Sequence, residues 1–135
     1  MTVPAILFCE DDPGIRKLIR VALRGTSYAL LFAADGVEGL ALARRERPAA
    51  IFTDLAMPNL DGYGLCAAVR ADPLLCATPV IVLTASVQRS QLTAAGEHGA
   101  TAVMLKPFTM EELREAVQRW GEPGGASRPP GVAAD

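Results

Sequence analysis

The sequence predicts an α/β fold in which a five-stranded parallel sheet is covered by helices on both faces. Three observations point there. Short continuous apolar runs, suited to strands buried on both faces, alternate five times with stretches of helical spacing. The connections are short, and neighbouring parallel strands need a helical crossover between them. The chain of 135 residues is long enough for one real core but not for two.

The elements follow in order. Ala5 to Cys9 is the first strand; Asp12-Pro13 then places a cap and a first-turn proline ahead of an apolar stripe of Ile15, Leu18, Ile19, Ala22 and Leu23. Tyr28 to Ala33 is the second strand, and Val37, Leu40 and Ala41 carry helical spacing until Pro48 interrupts it. Ala50 to Thr53 is the third strand, ending at Asp54. After Asp61-Gly62, Leu65, Cys66 and Val69 share one helix face, and Pro73 closes that unit. Val80 to Leu83 is the most β-branched run; Leu92 and Ala95 mark a weaker helix that Gly99 terminates. Ala102 to Leu105 is the fifth strand. Thr109 and Glu112 then have capping-box spacing, and Leu113, Ala116, Val117 and Trp120 fall at i, i+3, i+4 and i+7. From Gly121 onward the Gly- and Pro-rich sequence has no apolar period, so residues 1–120 are expected to fold and 121–135 to form a flexible tail, either an end or the start of a linker.

Composition excludes several classes. Half the residues are hydrophobic, yet no apolar run approaches the ~20 residues that span a bilayer. The start lacks the basic and apolar segments of a secretory signal. A formal charge of −2, with both signs interspersed, leaves no electrostatic footprint for nucleic acid. Cys9, Cys66 and Cys76 are an odd number without metal-like spacing, and buried thiols of a reducing cytoplasm are the better reading.

The polar exceptions to the apolar strands fall at strand carboxyl ends, where sheets of this kind bind ligands. Glu10 and Asp11 follow the first strand, Asp54 the third, Thr84 ends the fourth and Lys106 follows the fifth. Three carboxylates on one rim repel one another unless a cation neutralises them, and oxygen ligands suit Mg²⁺. One carboxylate can then attack phosphorus while a metal, a lysine and a hydroxyl steady the phosphoryl oxygens. An isolated Asp after a strand is more often a turn residue. The joint placement of the rim residues argues otherwise.

The segments Ile-Leu-Phe-Cys-Glu-Asp-Asp-Pro, Phe-Thr-Asp-Leu-Ala-Met-Pro-Asn-Leu-Asp-Gly, Val-Ile-Val-Leu-Thr-Ala and Met-Leu-Lys-Pro-Phe, in this order and each after a predicted strand, resemble the receiver domain of two-component response regulators over residues 4–120. The resemblance implies a flavodoxin-like (βα)5 three-layer sandwich with strand order 2-1-3-4-5. It further implies that Asp54 accepts a phosphoryl group from the phosphohistidine of a sensor histidine kinase or phosphotransfer protein. Asp11 would bind Mg²⁺ directly, Glu10 through water, and the main-chain carbonyl of Ala56 would add a ligand alongside Asp54. Thr84 would hydrogen-bond a phosphoryl oxygen, Lys106 would pair with the phosphoryl group, and Lys106-Pro107 would be cis. The family also implies a downstream protein target and homodimerisation on activation, with catalysis limited to the domain's own phosphorylation and slow dephosphorylation.

Asp12 is better as a helix cap than as part of the acidic pair, and Met57-Pro58 and Asp61-Gly62 serve the loop and helix start. His98, the only histidine, is expected near a helix end and exposed. Receiver domains often carry an aromatic residue three places before the lysine, which turns inward on activation; here that place is Val103. The strongest alternative is an aspartate-nucleophile phosphohydrolase, but that family's second Asp, two residues after the nucleophile, is replaced by Ala56. A flavin or nucleotide module would need a glycine-rich loop after the first strand, which is missing.

Overall fold

The computed structural model describes residues 3–85 and 88–121. Ten elements alternate without exception: β1 (Ala5–Cys9), α1 (Pro13–Ala22), β2 (Ala29–Ala33), α2 (Gly36–Glu46), β3 (Ala50–Asp54), α3 (Gly62–Ala71), β4 (Val80–Thr84), α4 (Arg89–Glu97), β5 (Ala102–Leu105) and α5 (Met110–Gly121). The strands pair in parallel in the order β2-β1-β3-β4-β5. This is the flavodoxin-like three-layer arrangement that the resemblance implied.

Alternation along each strand divides the core into two. Ile6, Phe8, Phe52, Ile81 and Leu83 face α1 and α5, where Ile19, Leu113, Val117 and Trp120 meet them. Leu7, Cys9, Ile51, Val80 and Val82 face the other way, against Ala43 of α2, Leu65, Cys66 and Val69 of α3 and Ala95 of α4. Because the strands are covered on both faces they need continuous apolar runs, and β4 is buried along its whole length.

Four helices begin on side-chain caps. Asp12, Asp35 and Asp61 each accept a backbone N–H of their first turn at 2.8 Å. Thr109 and Glu112 form the reciprocal box, at 3.0 and 2.8 Å. At α4 the capping position is Gln88, whose side chain makes no such bond. The other end of α4 is tied down: Arg70 donates to the carbonyls of Gly99 (2.9 Å) and Thr78 (2.6 Å) and to the Thr101 hydroxyl (2.9 Å).

Two expectations need correction. On α2 the face against the sheet is Gly39, Leu40 and Ala43, while Val37 is 56% exposed and Ala41 is also exposed. A Cβ on Gly39 would stand 2.5 Å from Cys9 Sγ, so the helix rests on its glycine rather than on a bulky stripe. The boundary at 120 also shifts, because Gly121 is the buried last residue of α5; the remainder of the expected tail, 122–135, lies outside the described residues. No helix among the described residues is long and apolar enough to cross a membrane.

Candidate functional site

The carboxyl ends of β1, β3, β4 and β5 bring the five predicted polar residues to one rim. Glu10, immediately after β1, is 1% exposed. Its Oε1 lies 2.8 Å from Lys106 Nζ, and its Oε2 accepts the Asp12 N–H at 3.2 Å. Burial pushes the Glu10 carboxyl above its ordinary range, and the hydrogen bond and charge of Lys106 oppose that push. Asp54, the last residue of β3, places Oδ2 3.3 Å from the same Nζ. Burial alone would lower the pKa of Lys106. The hydrogen bond to Glu10 and the negative charges of Asp54 and Glu10 more than offset this and hold the ammonium above its usual value. The lysine thus stays protonated between two carboxylates.

Asp11 is the exposed member of the acidic group. One carboxylate oxygen from each of Glu10, Asp11 and Asp54 lies within 4.8 Å of the others. Oxygens on opposite sides of an octahedral ion with ~2.1 Å bonds are about 4.2 Å apart, so this donor set, hard and anionic throughout, fits a small divalent cation after slight contraction. Glu10 already spends both its oxygens within the protein, which leaves Asp11 and Asp54 as the freer donors.

Thr84 ends β4, is 6% exposed, and its main-chain carbonyl accepts the Lys106 N–H at 2.8 Å. The side of the site away from β1 is an open cleft of about 870 Å³ lined by Asp54, Ala56, Met57, Tyr63, Thr84 and Lys106 among others. Ala56 is therefore at the cleft wall. The Lys106-Pro107 bond is cis. Asp12 caps α1 and Asp61 caps α3, as expected, and Thr53 Oγ1 contacts the Met57 sulfur at 3.9 Å. Val103 sits half-buried in β5 opposite Val82 and packs on the α2-α3-α4 side.

Sequence reasoning missed Tyr63. Its hydroxyl donates to the Gln91 carbonyl at 3.3 Å, and its ring lies 5.0 Å from that of His98, so it links α3 to α4 along the cleft. The available signal was its place in the first turn of a helix that starts at the rim. His98 is exposed at the end of α4. Cys9 and Cys66 are buried, with thiols pushed up to about 12 and about 11 chiefly by that burial, while Cys76 is exposed.

A strand-end carboxylate beside a metal-capable acidic pair and a fixed ammonium has the parts for phosphoryl acceptance. Comparison with known proteins agrees. Residues 6–118 match the family model of the response regulator receiver domain. The DNA-binding dual master transcriptional regulator RpaA of Synechocystis is 35% identical over 116 residues, which cover 86% of this chain and 48% of that protein. The chain thus spans about half the length of the curated relatives it matches. Chemotaxis response regulator CheY4 of Vibrio cholerae superposes with a TM-score of 0.81 at 32% identity, covering 87% of this chain and 98% of that one. The receiver domain of the sensor histidine kinase PA1611 from Pseudomonas aeruginosa, which has a magnesium ion in its active-site cleft, gives a TM-score of 0.80 at 33% identity, over 87% and 97% of the two chains. With the fold, the rim and these relatives in agreement, the chain belongs to the response regulator receiver domain family, the phosphorylation-based module of two-component signalling.

Proposed function

We propose that Asp54 is the phosphoacceptor, taking its phosphoryl group from the phosphohistidine of a sensor histidine kinase or phosphotransfer protein in a Mg²⁺-dependent reaction. The observation that carries this reading is the position of the Asp54 carboxylate: it opens on the cleft, 3.3 Å from Lys106 Nζ and within 4.8 Å of the oxygens of Glu10 and Asp11. An Asp54 oxygen attacks phosphorus, the P–N bond breaks, and its electron pair leaves with the imidazole, which takes a proton. Asp11, Asp54 and the Ala56 carbonyl would hold Mg²⁺, with Glu10 acting through water. The ion, when bound, neutralises charge on the phosphoryl oxygens. Lys106 pairs with the same group from the other side, and the Thr84 hydroxyl donates to an oxygen of the new acyl phosphate.

Beyond its own phosphorylation and slow dephosphorylation the domain is not an enzyme. The phosphohydrolase alternative lacks its proton-transfer residue at Ala56, and no observation favours it. Output passes to a downstream protein or through homodimerisation on activation. With Val103 in place of an aromatic, the rearrangement centres on Ala85 and the start of α4, a shift in a pre-existing equilibrium; Ser86, also expected to move, lies outside the described residues. A cytoplasmic location suits the histidine kinase donor and the buried thiols. The interspersed charge, −2 in total, supports a segment that does not itself touch nucleic acid.

Radiolabelled acetyl phosphate tests the central assignment. The wild-type chain should retain label with Mg²⁺ and lose it when the metal is chelated, and Asp54→Asn should take none while melting as a folded protein. Label on that variant, or steady release of phosphate by the wild type, overturns the reading.

A further inference from the structure

The loop that leaves Asp54 is fastened on its far side to α2. Leu55, Ala56, Met57 and Pro58 line the cleft. The next two residues turn away. Asn59, in the left-handed region at φ 68°, donates from Nδ2 to Asp35 Oδ2 at 2.7 Å. Leu60 accepts the Gly36 N–H on its carbonyl at 3.1 Å, and a Cβ on Gly36 would run into that carbonyl. Asp35 meanwhile caps α2 through its other oxygen, on the Glu38 N–H at 2.8 Å. One carboxylate therefore holds a helix start with one oxygen and the cleft loop with the other. A charge-assisted bond of this length is among the stronger kind available to an exposed loop.

We infer that Asp35 and Asn59 are positioning residues for the acceptor site: their bond sets the placement of the loop that carries the Ala56 carbonyl, and so couples the first turn of α2 to occupation of the rim. This rests on the reading of the rim as a metal and phosphoryl site. The loop is anchored at its start by Leu55 N–H on the Leu83 carbonyl (3.3 Å) and at its end by Gly62 N–H on the Leu55 carbonyl (2.8 Å). Between these points the hydrogen bonds of Asn59 and Leu60 tie the loop to the start of α2. Coupling of this kind is reciprocal, so a cation that needs the loop in place also stabilises the contacts that place it.

Two substitutions break the bond while leaving its surroundings intact. Asn59→Gly removes the side chain and still accepts the positive φ. Asp35→Ser keeps a capping oxygen for Glu38 but has no second oxygen for Asn59. Mg²⁺ affinity by calorimetry and amide exchange at Gly36, with and without Mg²⁺, are the readouts, and melting without metal checks the fold. In the wild type Mg²⁺ should slow exchange at Gly36. Each variant should bind Mg²⁺ about 3- to 10-fold more weakly, the worth of one net hydrogen bond, and lose that metal-dependent protection. The double variant should be no weaker than either single one, because both remove the same bond. Unchanged affinity in both variants, or losses that add in the double, overturns the inference while the acceptor assignment stands. A wild type that neither binds Mg²⁺ nor takes label on Asp54 overturns the acceptor assignment and this inference with it.

Discussion

The two faces of the sheet are packed by different means. On the α1-α5 side the contacts are made by bulk: the Phe8 ring stacks with Phe52 at 5.2 Å and Phe32 at 5.7 Å, and Trp120, Leu113 and Val117 close over the sheet. On the α2-α3-α4 side Leu65 and Val69 of α3 add bulk of their own, but α2 and α4 make their contacts by approach, through Gly39 against Cys9, Ala43 and Ala95. Two helices cover one face with large side chains; on the other, α2 comes close enough to the sheet to rest on a glycine. The first kind of packing loses stability when atoms are removed, the second when they are added.

That contrast can be tested from both ends. Phe52→Ala removes a ring that is fully buried at the centre of the bulky face and should cost about 3–5 kcal/mol in denaturant unfolding, the largest effect expected here. Gly39→Ala does the reverse. Its new methyl would crowd Cys9 Sγ, for a cost of about 1–3 kcal/mol in the same assay, and Cys9→Ala in the same chain should recover most of it by vacating the space. If Gly39→Ala were instead neutral or stabilising, as an exposed glycine in a helix would be, the close-approach account of α2 fails. Val37→Ala, on the solvent side of the same helix, should fall within about 0.5 kcal/mol of wild type. A large loss there would restore Val37 to the packed face that the sequence suggested.

The same contrast explains what the sequence made legible. Strands covered on both faces read as apolar runs, and α1 and α5 read as stripes of large residues, because bulk leaves a periodic signal. The face of α2 did so only in part, since a helix seated on Gly39 and Ala43 beside Leu40 leaves Val37 outside. Hydrophobic periodicity reports where side chains are, and at Gly39 the contact depends on there being none. The rim was legible for a different reason: Glu10, Asp11, Asp54, Thr84 and Lys106 are polar interruptions at strand ends, which the apolar background exposes. Asn59 and Asp35 were less so. Their pairing spans 24 residues and depends on a turn at Asn59 that its sequence permits without requiring.

The uneven fastening of α4 has a thermal consequence. Its carboxyl-terminal end is pinned by Arg70 at the Gly99 carbonyl, and its amino-terminal end lacks the side-chain cap that the other four helices have. A missing cap is worth about 1 kcal/mol, so the first turn of α4 should fray about fivefold more often than a capped one of equal length. Fraying that starts at Arg89 starts beside the cleft, next to the strand that ends in Thr84, and stops at the pinned end. The helix thus melts in one direction, and the turn that is cheapest to unwind is the one whose Gln91 lines the cleft with Asp54 and Thr84.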